Sequence, residues 1–243
     1  MIAAPPLRTA TLLAAGLLAT ATSAATAQNW SATTVQWLHG HGFELGPSTL
    51  SILTLEHVSG WRLGSNFFFF DVTQPAAAGT AIYGEWYSRL SWHATGLRHE
   101  SPGYLRDVSF AAALNAGNGF RAYLAGVTLH FRVRGFSFLD LDVMAYDDRS
   151  NSTVTYILTP AWEVPLSIGK AALRWRGFVD FIGPEGQHAA QVLAQPQLLL
   201  ELGSLLGKET RLAAGLEYQY WRHKYGVKGV VESVPQLLLL WQF

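Results

Sequence analysis

Between Leu105 and Asn115 the chain changes character at every residue: Val108, Phe110, Ala112 and Leu114 alternate with Asp107, Ser109, Ala111, Ala113 and Asn115. The pattern returns from Tyr123 to Val133, from Phe138 to Tyr146, from Leu173 to Phe181 and from Arg211 to Tyr220. A strand turns successive side chains to opposite faces, whereas a helix would repeat every 3.6 residues, so a period of two predicts an all-β chain. Twelve such segments are laid out, at 31 to 39, 48 to 58, 64 to 72, 81 to 93, 104 to 115, 121 to 133, 136 to 147, 152 to 163, 170 to 182, 191 to 203, 209 to 221 and 229 to 243. Turn chemistry separates them, as in Ala116-Gly117-Asn118-Gly119, Arg134-Gly135 and Gly183-Pro184-Glu185-Gly186. The count is even, as single-chain bacterial outer-membrane barrels require, and most segments have the length of a tilted membrane-spanning strand.

A soluble antiparallel sandwich alternates too, but its second face meets water and carries abundant Lys and Glu. Here 49% of the 243 residues are hydrophobic and only 14% are charged, against roughly 25% in an ordinary soluble domain. The hydrophilic phase is instead a mixture of charge, Gln, Ser, small residues and aromatics, as suits a polar barrel interior. Trp86, Trp92, Trp162, Trp175, Tyr218, Tyr220 and Trp241 fall on the apolar phase, expected near strand ends where amphipathic rings sit among lipid headgroups. No later stretch is a long enough apolar run for a membrane helix, so a mature chain that enters a membrane does so as a closed barrel. Pro160, Pro165, Pro196 and Pro235 lack a ladder donor and are expected at strand ends or bulges.

Residues 1 to 27 hold one base, Arg8, no acid, and the apolar run Ala10 to Ala19 before Ala25-Thr26-Ala27. They are expected to be a secretory signal cleaved after Ala27, leaving residues 28 to 243 as one outer-membrane barrel. The 17 basic and 17 acidic residues balance, and no concentrated basic surface argues for nucleic acid. The chain contains no cysteine, which rules out disulfides and thiolate sites.

If the apolar phase meets lipid, the other phase lines a lumen. It collects the acids Glu56, Asp71, Glu85, Asp107, Asp140, Asp142, Glu163, Asp180, Glu201, Glu217 and Glu232, and the bases Arg89, Arg132, Arg174, Arg176 and Arg211. Such an acidic path disfavours phosphorylated or carboxylated solutes and tolerates neutral or cationic ones. Several of these charges can also pair across strands to keep the interior satisfied. Aromatics share the phase: Phe67 and Phe69 with Asp71, Tyr83 and Tyr87 with Glu85, and Phe178 with Asp180. Rings beside carboxylates and guanidinium groups suit a flat heterocycle bearing a polar sugar; the same rings also fill a narrow barrel.

Several stretches in order resemble the Tsx-like family of nucleoside-specific outer-membrane channels. They are Thr54-Leu55-Glu56-His57 leading to Gly60-Trp61, the aromatic run ending at Asp71-Val72, Ile82-Tyr83-Gly84-Glu85-Trp86, Arg106-Asp107-Val108, Gln195-Pro196-Gln197, Gly215 to Trp221, Lys224-Tyr225-Gly226, and Glu232 to Gln236 through Trp241 and Phe243. The resemblance implies a monomeric 12-stranded barrel in the Gram-negative outer membrane that carries nucleosides passively and needs no cofactor. The ending Leu237 to Phe243, with Leu237, Leu239, Trp241 and Phe243 on one phase, resembles the C-terminal signal read by the barrel assembly machinery. Enteric members are also phage and colicin receptors, but connectors such as Ala116 to Gly119 are brief here.

Two other readings compete. A membrane-embedded hydrolase could draw on His57, His130, Ser91 and Ser109, but the sequence has no Gly-x-Ser-x-Gly elbow, metal-ligand spacing or P-loop, so neither a catalytic site nor a metal is expected. A structural or general barrel without nucleoside selectivity is compatible with the same pattern.

Overall fold

The alternating segments form antiparallel neighbours that close on themselves. The computed structural model describes residues 28–73, 79–96, 103–207 and 210–243, and the expected export signal lies outside the described residues. The strands are β1 (Gln28–His41), β2 (Thr49–Trp61), β3 (Gly64–Thr73), β4 (Ala81–Ser91), β5 (Leu105–Gly117), β6 (Phe120–Phe131), β7 (Phe138–Asp148), β8 (Thr155–Ile168), β9 (Ala171–Ile182), β10 (Gln191–Ala194), β11 (Gln197–Glu201), β12 (Leu212–Arg222) and β13 (Val231–Gln242). Each strand from β1 to β9 pairs with the next, and β13 returns to β1 from Thr34↔Gln242 to Gly40↔Gln236. Closure removes the free edges that a sheet could not leave in hydrocarbon.

Short strands β10 and β11 are two halves of one stave. Both pair with β9 and β12 in one continuous register: Ala194 faces Val179 and Tyr220, and Gln197 faces Arg176 and Glu217. The barrel therefore has twelve staves, as the alternation predicts. The interruption is Gln195-Pro196, where Gln195 N–H still donates to Phe178 O at 3.1 Å and Pro196 O accepts from Tyr218 N–H at 3.0 Å. On the facing stave Gly177 takes a φ of +158°, and a Cβ there would lie 2.7 Å from Gln195 O and Pro196 Cα, so this crossing tolerates no side chain.

The other prolines divide. Pro165 falls near the end of β8, whereas Pro235 sits inside β13 opposite Tyr218 in unshifted register, which corrects the expectation there; the β1–β13 ladder stops one residue short of it. Pro160 corrects the expectation of strand ends or bulges: it sits inside β8 opposite Leu141 in unshifted register. The β8–β9 ladder passes from Leu158↔Phe181 to Ala161↔Phe178 without pairs between them, which is the local effect of a missing donor. After β11 the chain makes a one-turn helix, α1 (Leu202–Leu206), where the alternation predicts strand to residue 203.

Side chains of the apolar phase point outward along every stave. Phe70, Trp86, Phe110, Val143, Phe181, Leu216 and Leu239 form part of an exposed belt, which water would penalise and lipid accepts. Leu237, Leu239, Trp241 and Phe243 all belong to it. The aromatics are less confined to strand ends than expected: Trp86, 51% exposed, lies mid-strand in β4.

Both chain ends of the barrel, Gln28 and Gln242, lie at one rim, called here the terminal rim; the connections β1–β2, β7–β8, β9–β10 and β12–β13 lie at the opposite, far rim.

Candidate functional site

The lumen is crossed by polar side chains. Arg176 on β9 donates through Nη1 to Glu56 Oε1 on β2 at 2.9 Å and through Nη2 to Glu56 Oε2 at 3.4 Å. Those staves are five steps apart around the ring in one direction and seven in the other, so the pair is a bar across the barrel. Gln197 on β11 extends it: Arg176 Nε donates to Gln197 Oε1 at 2.7 Å, and Gln197 Nε2 donates to Gln36 Oε1 at 3.1 Å and to Glu217 Oε2 at 2.7 Å. Gln236 and Gln195 donate to Glu217, Gln195 and Gln219 join at 2.8 Å, and Gln219 donates to Glu232 at 2.5 Å. Toward the far rim Glu232 also takes Lys224 Nζ at 2.5 Å and Glu44 N–H at 2.6 Å. A continuous network thus runs from the mid-barrel to the far rim.

On the β4–β7 side a second bridge joins Arg89 to Asp142, Nη2 to Oδ2 at 2.7 Å, with Thr128 hydrogen-bonded to both. Arg174 pairs with Glu201 on β11 and lies 4.0 Å from Glu163. Several inward carboxylates form no ion pair among the described residues and are held by neutral donors instead. Asp71 takes Thr54, Asp180 takes Thr159, Asp107 takes Ser91, Glu217 takes the glutamines, and Glu85 takes the Tyr83 and Tyr87 hydroxyls at 2.5 and 2.9 Å. Carboxyl groups are therefore distributed along the interior, their geometry fixed by hydroxyl and amide donors.

Opposite the glutamine network stand the rings. Phe67 and Phe69 have centroids 6.2 Å apart, Phe69 and Tyr83 6.1 Å, Phe67 and Tyr87 6.2 Å, and Tyr83 and Phe120 6.2 Å. Phe67 and Phe120 pack against a buried cluster that includes Tyr87, Leu124, Met144, Tyr146 and Ile157. Although they face the lumen, Gln236 and Glu232 are 0% exposed and Gln36 is 2% exposed. An open water-filled pore would leave such groups wet, so side chains from several staves fill this side of the interior. Gly40 fits that packing, since a Cβ there would fall 2.8 Å from Gln236 Cγ and Val234 Cγ1.

The structure places Glu56, Phe67, Phe69, Asp71, Tyr83, Glu85, Tyr87, Arg89, Asp107, Asp140, Asp142, Arg174, Arg176, Phe178, Asp180 and Glu217 on strands in the inward phase. Arg132 is different: it lies beyond the end of β6, exposed at the terminal rim, and Arg211 likewise precedes β12. The strand ends two residues before the alternation does, which carries the Arg132 guanidinium out of the barrel. The glutamines and Lys224 were not among the lumen residues expected from the sequence, although several of them lie in the stretches that carry the family resemblance. Their signal was present as Gln36, Gln195, Gln197, Gln219 and Gln236 on inward positions of four staves, but an amide has no charge to draw attention to its phase.

Ser109, His130 and Asp140 form a chain: Ser109 Oγ lies 2.9 Å from His130 Nε2, and His130 Nδ1 lies 2.9 Å from Asp140 Oδ1. The order matches a hydrolytic triad. Ser109 is only 3% exposed, and its strand is paired on both sides, which commits the backbone N–H groups that would otherwise stabilise an oxyanion. The arrangement suits a satisfied buried histidine.

No protein-family model matches the chain, and no curated protein matches it. Among solved structures, a KdgM porin superposes with a TM-score of 0.53 at 8% identity, covering 86% of this chain and 99% of that one. The KdgM porin in complex with disordered oligogalacturonate superposes with a TM-score of 0.51 at 10% identity, over 86% of this chain and 99% of that one. The shared property at this identity is the fold, a closed antiparallel barrel.

Proposed function

We propose that this chain is a passive, substrate-selective channel of the Gram-negative outer membrane for nucleosides or similar small neutral solutes. The observation that carries this reading is the run of inward rings Phe67, Phe69, Tyr83 and Tyr87 next to the carboxylates of Asp71 and Glu85. A base stacks on rings while a ribose exchanges hydrogen bonds with carboxylates, hydroxyls and amides. The resemblance to Tsx-like channels supports the same substrate class. The exposed apolar belt supports a lipid location, and Phe243 at the end of that belt supports recognition by the barrel assembly machinery. The reading includes cleavage after Ala27, a monomeric barrel and no cofactor. Oligogalacturonate, the KdgM ligand, is a polyanion; inward carboxylates without cationic partners disfavour such a solute here.

A second reading has its own observation. Full burial of Glu232 and Gln236 favours a side-chain-filled barrel that conducts little. Planar-bilayer recording separates the two. The channel reading expects ionic current that adenosine or thymidine blocks at lower concentration than a sugar of similar size. A correctly folded barrel without current, or with current indifferent to nucleosides, overturns it.

A further inference from the structure

At the far rim the β7–β8 and β9–β10 connections meet. Asp148 ends β7; Glu185 and His188 lie in the β9–β10 connection, linked to each other by reciprocal backbone hydrogen bonds, Glu185 N to His188 O at 3.2 Å and His188 N to Glu185 O at 2.8 Å. One potential ligand atom from each of the three side chains lies within 4.8 Å of the others. Glu185 is 5% exposed, and its Oε1 is buried without a hydrogen-bond partner. An unmatched buried carboxylate oxygen is costly unless a cation or donor meets it.

The neighbouring donors do not meet that demand. Asn151 Nδ2 has two hydrogens yet faces three acceptors, Asp148 Oδ2 at 3.3 Å, Glu185 Oε2 at 3.4 Å and His188 Nδ1 at 3.2 Å. Ser150 serves the other Asp148 oxygen. Close packing holds the ligands in place: Gly226, at φ +74°, leaves no room for a Cβ, which would fall 2.5 Å from His188 Cβ, and Ala189 N–H donates to Gly226 O at 2.9 Å.

We propose that Asp148, Glu185 and His188 form a binding site for one divalent transition-metal ion of the zinc class, which ties the β7–β8 and β9–β10 connections together over the far mouth of the barrel. Two carboxylates match the charge of such an ion, and an imidazole selects zinc-like ions over calcium, whose ligands are oxygens. The spacing Glu185-x-x-His188 places two ligands in one short turn, and Asp148 comes from a separate stave, so the site assembles only once β7, β8 and β9 are paired.

The test is titration of Zn²⁺ into the purified mature barrel in detergent micelles by calorimetry, with fold checked by heat-modifiable gel mobility. The expected result is one site whose affinity falls at least ~10-fold in Glu185→Gln and in His188→Gln and is unchanged in Asp147→Asn, whose carboxylate pairs with Arg149 instead. Equal binding by wild type and both variants assigns the ion to surface histidines and overturns the site, as does the absence of stoichiometric binding. Should the variants not fold, zinc K-edge absorption of the wild-type protein decides: one imidazole with oxygen ligands upholds the assignment, and two or more imidazoles overturn it. Displacement of Zn²⁺ by an equal concentration of Ca²⁺ overturns the ion class.

Discussion

Arg176 and Glu56 are 120 residues apart in sequence and meet at 2.9 Å across the lumen. Both are mostly buried, at 15% and 21% side-chain exposure, so the pair works in a medium where a lone charge is expensive. Arg176→Met leaves Glu56 without its cation and should lower stability by up to about 3 kcal/mol. Adding Glu56→Gln should restore part of that loss. Thermal unfolding in micelles measures both, and the same variants in planar bilayers should conduct more than wild type because the bar is gone.

The substrate reading makes a sharper demand. Stacking of a base on an aromatic ring is worth about 1–3 kcal/mol, so Phe69→Ala or Tyr83→Ala should weaken nucleoside block by roughly 5- to 150-fold. Single-channel block by adenosine measures this. Unchanged block in both would remove the rings from the solute path.

Leu216 lies midway along β12 on the outer face, with Leu237 and Leu198 at the same level on the flanking staves. Arginine near the bilayer midplane of a barrel costs about 2–4 kcal/mol, so Leu216→Arg should lose that amount in denaturant titrations of the barrel folded into vesicles. Leu216→Ile should stay near wild type. An arginine tolerated without cost would place this face away from hydrocarbon.

Gly126 on β6 is fixed by a close approach rather than by its dihedral angles. A Cβ there would lie 2.1 Å from Val143 O and 2.7 Å from Met144 Cα on β7. Backbone has to move to admit it, and overpacking of this kind costs about 1–3 kcal/mol. Gly126→Ala should lower the unfolding midpoint, whereas Gly119→Ala, with open space around the Cβ position, should show only the strain of its positive φ.

Much of the fold was legible because pleating ties side-chain direction to a period of two, a local rule that needs no knowledge of partners. The boundaries of β2, β3, β6 and β9 fall within three residues of those the alternation predicts. Pro160 was misjudged for a tertiary reason: its neighbours on both staves hold the register, so one absent donor opens the ladder without ending the strand. Arg132 was misjudged for a local one, since alternation continues for two residues past the last paired position of β6.

The lumen divides the same way. Which residues face inward followed from phase, and phase is written in the chain. Which of them meet did not, because contacts across a barrel depend on how many staves separate two strands and how the ring closes. Arg176 could have paired with Glu163 or Glu217 on nearby staves; ring closure brought it Glu56 instead. The sequence by itself determined strands, an apolar outer belt and an acid-rich interior, since each depends only on residue type and parity. Only the tertiary structure decided that glutamines knit this interior together and that Asp148 joins Glu185 and His188 at the far rim, since both depend on distances between staves that local periodicity does not encode.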